Sequence, residues 1–259
     1  MTQEFYKYHG CGNDFIIIDN RTNTFDKSDP AKIAELCHRR FGIGADGLIL
    51  LEDHETLDFK MVYYNSDGNQ SSMCGNGGRC ITHFAHYLNL LDIKATFEAI
   101  DGVHHSILKD DVIRLQMQNV SGIGRMNNDI ILNTGSPHIV RLVDDLAKVD
   151  IDKSGAELRY SETFKDDGIN VNFVEKINDE NFKVRTYERG VEAETLSCGT
   201  GVTAVAIAMN FIGETEKNLI NLKTPGGDLQ VSFEKRTNAY IDIWLVGPAV
   251  QVYKGEITW

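Results

Sequence analysis

The strongest constraint on the fold is an internal repeat. When the sequence is shifted by 123 positions, Gly12 aligns with Gly135, and after one extra residue Cys74 aligns with Cys198 at a shift of 124. The landmarks that also coincide are Glu52 with Glu175, Phe59-Lys60 with Phe182-Lys183, and Tyr64 with Tyr187. A nearly constant shift over so long a stretch is not expected from chance. We therefore predict two homologous halves joined near Asn119–Met126.

Short strands dominate the predicted secondary structure, because alternating patterns and short apolar runs are typical of strands. The predicted strands are EFYKYH, FIIID, LILLE, FKMVYYN, IVRLV, INVNFVEKI, FKVRTYE, Asn218–Leu222, Leu229–Phe233, Tyr240–Val246 and Val250–Tyr253. Helices are predicted at Ala31–Gly42, after Cys74 to about Leu91, and at Gly201–Ile212. The last helix is apolar on nearly every side, so we expect it to be buried inside a shell of strands.

Composition limits the classes of function. The 259 residues are enough for two domains, and no apolar run approaches the roughly 20 residues that a membrane span needs. A net charge of −12 argues against nucleic-acid binding. The N-terminal segment lacks an export signal, and five cysteines form an odd set without the density of a disulfide scaffold. Both features favour the cytoplasm.

Two cysteines stand in nearly identical settings, MCGNGGRC at Met73–Cys80 and LSCGTGVTAVAIA at Leu196–Ala208. The thiolate is the reactive form of cysteine, and the N-terminus of a helix favours it through unpaired N–H groups and the helix dipole. The neighbouring glycines let the backbone approach a ligand, so that exposed amides would hold an anion such as a carboxylate. Each half therefore offers an acid or base next to an anion-binding turn.

Two such thiols, aimed at one point from opposite sides, suit the inversion of a carbon centre. One group removes a proton from one face, and the other supplies a proton to the opposite face. The α-carbon of an amino acid fits this chemistry, because a bound carboxylate stabilises the charge that spreads into it as the proton leaves. We therefore predict that Cys74 and Cys198 are a paired acid and base.

Other interpretations have weaker support. A buried structural role is the usual fate of a cysteine, and we expect it for Cys11, Cys37 and Cys80, whereas glycine-rich turns are poor places to bury Cys74 and Cys198. Zinc binding would need CxxC or cysteine–histidine pairs at ligand spacing, and a redox pair would need CxxC. The loops lack the P-loop lysine and the dinucleotide fingerprint, and no lysine has the setting of a PLP Schiff base. We predict no metal and no cofactor.

The chain resembles the diaminopimelate epimerase family, PLP-independent isomerases of lysine and cell-wall biosynthesis. The segments that carry the resemblance, in family order, are KYHGCGNDFIIID, FGIGADGLILLE, YYNSDGNQSSMCGNGGRC, GINVNFVE, YERGVEAETLSCGTG and TPGGDLQV. The resemblance runs nearly end to end. It implies epimerisation of LL-2,6-diaminopimelate to meso-diaminopimelate by two-base proton transfer, and a homodimer.

The implied fold is α+β, with two homologous domains related by internal duplication. Each domain is expected to be a barrel-like, mostly antiparallel or mixed sheet around a central helix, with the active site in the cleft between the domains. We place the first domain at residues 1–120, joined by a C-terminal strand at about 247–259, and the second at residues 121–246.

By resemblance, the catalytic pair is Cys74 and Cys198. The residues implied for substrate binding are Asn13, Asn65, Gly75, Asn76, Ser136, Asn170, Glu188, Arg189, Gly199 and Thr200. Diaminopimelate has an amino-acid group at each end, so its non-reacting end must be held as a zwitterion. Arg189 can pair with the carboxylate and Glu188 with the ammonium. Adjacent strand residues face opposite sides, so we expect a turn at Gly190 to redirect one of them.

The chain departs from the family pattern in two places. The segment Gly135-Ser136-Pro137-His138 stands where many members have Gly-Asn-Pro-His, so a substrate contact at Ser136 is shortened or lost, and His138 is open to a purely structural role. The segment between Glu188 and Cys198 is one residue longer, with Glu192 and Ala193 where glycine is expected. We predict a loop adjustment there and no change of reaction.

Two alternatives stay open. A proline or hydroxyproline racemase shares the two-cysteine fold, although Asn76 and the segment Glu188-Arg189-Gly190 favour diaminopimelate. A catalytically silent binding protein of the same fold would be expected to lack one cysteine, and this chain has both.

Overall fold

The structure of the protein is a computed structural model that describes residues 2–71 and 73–258. The chain divides into two compact units. Residues up to Leu115, together with those from Gly247 onward, form the first unit, and Gln116–Val246 form the second. Met1 and Trp259, at the ends of the first predicted domain, and Ser72 lie outside the described residues.

Strands make up most of the regular structure, and four α-helices occur among the described residues. The elements up to Gln116 are β1 (Thr2–Gly10), β2 (Asn13–Asp19), α1 (Pro30–Cys37), β3 (Gly47–Glu52), β4 (Phe59–Asn65), α2 (Gly75–Tyr87), β5 (Lys94–Ala99), β6 (Gly102–Lys109) and β7 (Val112–Gln116). The elements that follow are β8 (Val120–Ser121), β9 (Gly124–Met126), β10 (Asp129–Asn133), β11 (Pro137–Leu142), a 3-10 turn (Leu146–Lys148), α3 (Ile151–Arg159), β12 (Asn170–Lys176), β13 (Asn181–Glu188), β14 (Ala193–Thr195), α4 (Gly199–Phe211), β15 (Leu219–Thr224), β16 (Gly227–Lys235), β17 (Ala239–Pro248) and β18 (Val250–Thr258).

The first unit contains a mixed sheet. Its strands pair in the order β18, β1, β2, β3, β4, β5, β6 and β7. The pairs β2–β3 and β4–β5 are parallel, and the others are antiparallel. Thr2 lies opposite Thr258, which brings the C-terminal strand into this unit. Helix α2 packs against β1, β2, β3 and β6.

The second unit repeats this arrangement. Its strands pair in the order β9, β10, β11, β12, β13, β15, β16, β17 and β8, and the short strand β14 also pairs with β13. The pairs β11–β12 and β13–β15 are parallel. Helix α4 packs against β10, β11, β12, β13, β15 and β16, and nearly all of its residues are buried, as predicted.

The strand register confirms the repeat residue by residue. Phe15 lies opposite Gly47 in the parallel pair β2–β3, and His138 lies opposite Asn170 in the parallel pair β11–β12. These are the same positions at the shift read from the sequence, because 15 + 123 = 138 and 47 + 123 = 170. The α+β prediction with two repeated, mixed-sheet units around central helices is confirmed.

Strand β3 contains the continuous apolar run Leu48–Leu51 because both of its faces are covered. On one face Ile49 and Met61 lie against Gly77 of α2. On the other face Leu48 and Leu50 belong to a core cluster that includes residues of α1. Strands buried on both sides are expected to be continuous apolar runs, which explains why the segment LILLE does not alternate.

Three predicted helix boundaries were wrong. Helix α1 ends at Cys37, five residues before the predicted Gly42, because His38 is extended and the chain folds back so that the Ile43 N–H donates to Leu36 O at 2.9 Å. Helix α2 ends at Tyr87, before a left-handed residue at Asn89 (φ 58°). Helix α4 begins at Gly199, two residues earlier than predicted.

Among the described residues, no helix has the length and apolar character needed to cross a membrane.

Candidate active site

Each central helix begins directly after a cysteine. Cys74 has extended backbone angles (φ −94°, ψ 135°) and its carbonyl accepts the first hydrogen bond of α2 from Gly78 N at 2.8 Å. Cys198 has similar angles (φ −119°, ψ 112°), and its carbonyl accepts from Val202 N at 2.9 Å. Neither thiol caps its own helix. The two cysteines therefore have the same backbone role in the two units.

The burial of the two cysteines differs from the prediction. Cys74 is half-buried, but Cys198 is only 7% exposed, so the expectation that a glycine-rich turn would be a poor place to bury it was wrong. The reason is Gly201. A Cβ atom at this position would lie 3.3 Å from the Cys198 Sγ, so the missing side chain leaves room for the thiol to pack onto the helix.

Cys74 lies beside two of the predicted asparagines. Its Sγ is 3.5 Å from Asn13 Oδ1, and the same oxygen accepts a hydrogen bond from Asn76 Nδ2 at 3.1 Å. Asn13 is the first residue of β2, and Asn76 is the second residue of α2. The fold thus brings Asn13, Cys74 and Asn76 together, with Gly75 between the last two.

Two further residues complete this cluster, and neither was predicted from the sequence. Asn13 Nδ2 donates to Asp46 Oδ2 at 2.7 Å, and Arg79 NH2 donates to Asn76 Oδ1 at 2.9 Å. Arg79 is fully buried, although arginine is rarely so. A cation in the middle of a helix predicted to be central was the available signal for Arg79. Asp46 is 33 residues from Asn13 in the chain, so nothing local connected them.

A carboxylate next to this cluster is held ionised. Burial raises the pKa of Asp14, but hydrogen bonds from Arg39 and Lys7 outweigh it and bring the pKa down to about 2. Arg39 also pairs with Asp46 at 2.6 Å, so the two carboxylates share one guanidinium. This ion cluster anchors the start of β2, where Asn13 lies.

In the second unit, Cys198 lies near Thr200. The distance between Cys198 Sγ and Thr200 Oγ1 is 3.4 Å, and either atom can be the donor. The Thr200 carbonyl accepts a hydrogen bond from Thr134 Oγ1 at 2.9 Å, which ties the start of α4 to the end of β10. Gly199, between Cys198 and Thr200, is the first residue of α4.

Asn170 connects two other predicted residues. Its Nδ2 donates to Ser136 Oγ at 2.9 Å, and its Oδ1 accepts from the backbone N–H of Arg189 at 2.9 Å. Because Asn170 is buried at the first position of β12, it fixes the turn that presents Arg189. Ser136 is thus placed with the predicted site residues of this unit.

The expected turn at Gly190 is present directly after Glu188 and Arg189. Gly190 has φ 91°, and the Glu188 side chain accepts a hydrogen bond from Thr195 Oγ1 at 3.1 Å. The exposed Arg189 guanidinium donates to Asp167 O at 2.8 Å. Asn65 ends β4 as Glu188 ends β13, and these are equivalent repeat positions, because 65 + 123 = 188.

The extra residue in the segment between Glu188 and Cys198 is accommodated at Glu192. This residue takes a left-handed conformation (φ 58°), which glycine adopts more readily. Its carboxylate offsets that strain by pairing with Arg159 at 3.3 Å and by accepting from the Gly190 N–H at 3.0 Å. The predicted loop adjustment is therefore local, and Ala193 beyond it pairs with Glu188 in the sheet.

His138 is fully buried at the repeat position of Phe15. Its Nδ1 is 3.1 Å from Asn172 Nδ2, which makes Nδ1 an acceptor and places the ring proton on Nε2. Among the described residues, this Nε2 has no hydrogen-bond partner, so His138 is not a fully satisfied structural histidine. Burial lowers its pKa to about 3, which keeps the ring neutral.

No group of three or more His, Cys, Asp and Glu side chains with the geometry of a metal site occurs in residues 2–71 and 73–258.

The duplicated α+β fold is shared with solved structures of other proteins. A phenazine biosynthesis protein of the PhzF family from Bacillus anthracis superposes with a TM-score of 0.75 at 14% identity, covering 100% of both chains. A hydroxyproline epimerase from Agrobacterium vitis superposes with a TM-score of 0.70 at 11% identity, covering 99% of this chain and 92% of its own. At these identities the likeness shows the fold alone.

Sequence comparisons narrow the class to one family. The family model for diaminopimelate epimerase matches residues 5–121 and 130–257. A diaminopimelate epimerase from Flavobacterium psychrophilum is 54% identical over 255 residues, which cover 98% of this chain and 100% of the relative. Another from Chlorobaculum tepidum is 41% identical and covers 96% of this chain and 99% of the relative. The chain belongs to the diaminopimelate epimerase family.

Proposed function

We propose that the protein epimerises LL-2,6-diaminopimelate to meso-diaminopimelate, a step that serves lysine and peptidoglycan precursor synthesis. The observation that carries this proposal is the pair of cysteines, Cys74 and Cys198, at equivalent N-cap positions in a chain of this family. One thiolate removes the α-proton, and the other thiol delivers a proton to the opposite face of the same carbon.

The helix starts supply the electrostatic part of the chemistry. The first N–H groups of an α-helix have no partner within the helix, and they favour negative charge. Gly75 and Asn76 begin α2, and Gly199 and Thr200 begin α4. In our proposal their amides hold the carboxylate at the reacting carbon, and so stabilise the charge that spreads into it as the proton leaves.

The second unit recognises the far end of the substrate. Arg189 takes the distal carboxylate and Glu188 the distal ammonium, while Asn170 accepts from the Arg189 N–H and so holds the turn that presents Arg189. Ser136 and Asn65 supply further polar contacts. Asn13 serves the reacting end, because its amide oxygen lies beside Cys74 Sγ. A ligand with charges at both ends fits this distribution better than proline does.

Loss of either thiol tests the two-base assignment. We expect Cys74→Ala and Cys198→Ala each to abolish epimerisation of both isomers, measured by loss of optical purity and by α-proton exchange in D₂O. Cys80→Ala is the matched control, because Cys80 is a buried thiol in the same helix as Cys74. Near-normal turnover by either single variant would remove the assignment.

Arg189→Ala tests the choice of substrate. An unpaired charge in a binding site typically costs about 2–5 kcal/mol, roughly 30-fold to several thousand-fold in kcat/KM for diaminopimelate. Arg185→Ala is the control, because Arg185 lies on β13, the strand that leads to Arg189, but pairs with Glu194 at 2.5 Å. A wild-type protein that prefers proline or hydroxyproline would support the racemase alternative, and one that binds without turnover would support the silent binding protein.

The proposed chemistry needs no metal and no PLP, since two thiols carry both proton transfers. Protein dialysed against a chelator and free of PLP absorbance is expected to keep its full rate. If added zinc or PLP restored activity lost in dialysis, the thiol-only mechanism would be wrong.

We further propose a homodimer in the cytoplasm. On β18, Val250, Val252 and Tyr253 are 42%, 54% and 45% exposed, an apolar surface of the kind that partners cover. Light scattering should give twice the chain mass of 29.0 kDa, and Val252→Lys should shift the protein towards the monomer. A monomer at assay concentration would contradict the dimer. The odd set of five cysteines fits a reducing compartment.

A further inference from the structure

Four polar side chains of the first unit form one hydrogen-bonded row beside Cys74. Arg79 donates to Asn76 Oδ1 at 2.9 Å, Asn76 Nδ2 donates to Asn13 Oδ1 at 3.1 Å, and Asn13 Nδ2 donates to Asp46 Oδ2 at 2.7 Å. We name this the amide row. The side-chain amides of Asn76 and Asn13 each have an NH₂ donor and an oxygen acceptor. Without neighbours, either amide could rotate and exchange the two positions.

The ends of the amide row fix its direction. A guanidinium only donates and a carboxylate only accepts. Arg79 therefore requires the oxygen of the Asn76 amide to face its guanidinium. Asp46 requires the NH₂ group of Asn13 to face its carboxylate. Both requirements leave Asn13 Oδ1 facing Asn76 Nδ2 and Cys74. The distance from Asn13 Oδ1 to Cys74 Sγ is 3.5 Å.

Each end is itself held. Arg79 is fully buried, and it also donates to Gly75 O and Pro248 O at 3.3 Å. Asp46 pairs with Arg39 at 2.6 Å through its other oxygen. Space is tight as well, because a Cβ at Gly10 would lie 3.1 Å from Arg79 NH2 and 3.2 Å from Asn76 O. These contacts therefore fix the direction of the amide row within the first unit.

We propose that Arg79 and Asp46 are positioning residues that aim Asn13 Oδ1 at Cys74 and hold this cysteine as the protonated member of the catalytic pair. An amide oxygen accepts a hydrogen bond from S–H but repels a thiolate, whereas an amide NH₂ would stabilise the thiolate. The proposal rests on the proposed function only in assigning Cys74 and Cys198 to a catalytic pair. The orientation and its effect on the Cys74 thiol stand without it.

The second unit does not repeat the amide row. The repeat positions of Asp46 and Arg79 are Ile169 (46 + 123 = 169) and Thr203 (79 + 124 = 203). Ile169 is apolar, and the Thr203 hydroxyl donates to Gly199 O at 2.9 Å within its own helix. Cys198 lies instead beside the Thr200 hydroxyl, which can donate to a thiolate. The two thiols thus have chemically different neighbours, which suits a resting enzyme with one thiol and one thiolate.

The test is the pH dependence of Cys74 alkylation by iodoacetamide, quantified by peptide mass. It reads the Cys74 proton directly and requires no catalytic turnover. The perturbing variant is Asp46→Asn, which is nearly isosteric and replaces a half-exposed carboxylate. An amide at this position must turn a donor towards either Arg39 or Asn13, so the orientation of Asn13 is no longer fixed.

We expect the alkylation midpoint of Asp46→Asn to fall by about half a unit to one unit, from partial exchange of an acceptor for a donor at the thiol. Asp14→Asn is the matched control. Asp14 shares Arg39 but does not touch the Asn13 amide. An asparagine at this position keeps an Oδ1 that can accept from the Asp46 N–H, as the Asp14 carboxylate does at 3.2 Å, so Asp46 stays in place and the Cys74 midpoint should not change. An unchanged midpoint in Asp46→Asn, or an equal shift in both variants, would overturn the proposal.

The other end of the row gives a second lever. Arg79→Met removes the donor and should lower the same midpoint, while Arg79→Lys keeps a donor-only cation and should restore it. In turnover assays kcat should fall with Asp46→Asn while KM changes less. If diaminopimelate proves not to be the substrate but the alkylation shifts appear, the proposed function fails and the amide row survives.

Discussion

Two glycines at equivalent positions of the repeat should respond to the same substitution with different losses of stability. Gly77 and Gly201 are the third residues of α2 and α4, and 77 + 124 = 201. A Cβ atom at Gly201 would lie 2.5 Å from Asn172 Oδ1, closer than real Cβ contacts come, and 3.2 Å from Cys198 Cβ. Gly201→Ala must therefore displace one of these side chains.

Asn172 cannot yield at low cost. It is fully buried, its Nδ2 donates to Ile139 O at 3.1 Å, and its Oδ1 accepts from Thr186 Oγ1 at 3.0 Å. Overpacking a core costs about 1–3 kcal/mol, and breaking a buried hydrogen bond costs about as much. Alanine regains up to about 1 kcal/mol of helix propensity. We therefore expect Gly201→Ala to lower the free energy of unfolding by about 2 kcal/mol.

At Gly77 the two close contacts of the same Cβ are the ends of flexible side chains, and the Phe15 ring lies at an ordinary van der Waals distance of 3.6 Å. Its nearest contacts would be Ile49 Cδ1 at 3.2 Å and Met61 Cε at 3.3 Å. These atoms can move by a few tenths of an ångström, so the packing cost and the gain in helix propensity nearly cancel. Gly77→Ala should change the stability by less than about 1 kcal/mol in either direction.

Thermal unfolding of the two variants tests this difference. About 2 kcal/mol corresponds to a fall of roughly 4–8 °C in Tm for a chain of this size. Gly201→Ala should also lose more activity, because a shift of Cys198 by a few tenths of an ångström misplaces an acid–base group. If both variants melted at the same temperature, the packing of the Cys198 turn against Asn172 would be wrong.

Three further effects are expected. The pKa of Asp14 falls to about 2 on folding, against about 3.9 when unfolded, so its stabilisation is present above pH 4 and is lost as the pH falls from 4 to 2. Asp14→Asn should therefore reduce the pH dependence of the free energy of unfolding between pH 4 and 2. Because burial lowers the pKa of His138 to about 3 from about 6.5, stability should fall as the pH drops below 6.5, and His138→Gln should remove that slope between pH 6.5 and 4. Asp29 accepts from the Ala31 and Lys32 N–H groups at 3.0 and 3.2 Å, so Asp29→Ala should cost about 1 kcal/mol in denaturant titrations.

The predicted strands could be found from the sequence because local pattern and tertiary environment agree there, whereas the strands from β5 (Lys94–Ala99) to β10 (Asp129–Asn133) and the short strand β14 (Ala193–Thr195) were not predicted. Short apolar runs such as LILLE become strands covered on both faces, and the alternating segment EFYKYH lies within β1. Helix ends were less predictable. The apolar spacing of α1 continues past Cys37, but Gly42 returns over the helix end, where a Cβ would lie 2.0 Å from Glu35 O. That close approach belongs to the folded chain and has no local signature.

Some residues of the candidate site could likewise be predicted from the sequence, and others could not. Cys74 and Cys198 could be found because the repeat marks both of them and places each before a glycine-rich helix start. Asp46 and Arg79 could not, since their proposed role is to orient amides that come from elsewhere in the chain. A carboxylate between two glycines and an arginine in a buried helix become informative only when the hydrogen-bond partners are known.

The repeat has kept the cysteines and replaced what surrounds them. At three equivalent pairs the side chain changes type: Asn13 against Ser136, Gly47 against Asn170, and Asn65 against Glu188. A symmetric pair of units would offer a symmetric environment to both ends of diaminopimelate, and it would not distinguish the reacting carbon from the distal one. The charged pair Glu188-Arg189 and its anchor Asn170 occur in one unit only, and the amide row occurs in the other. In our proposal, this divergence lets the first unit set the protonation of its own thiol and lets the second recognise the distal end of the substrate, while the shared N-cap geometry gives each unit one thiol.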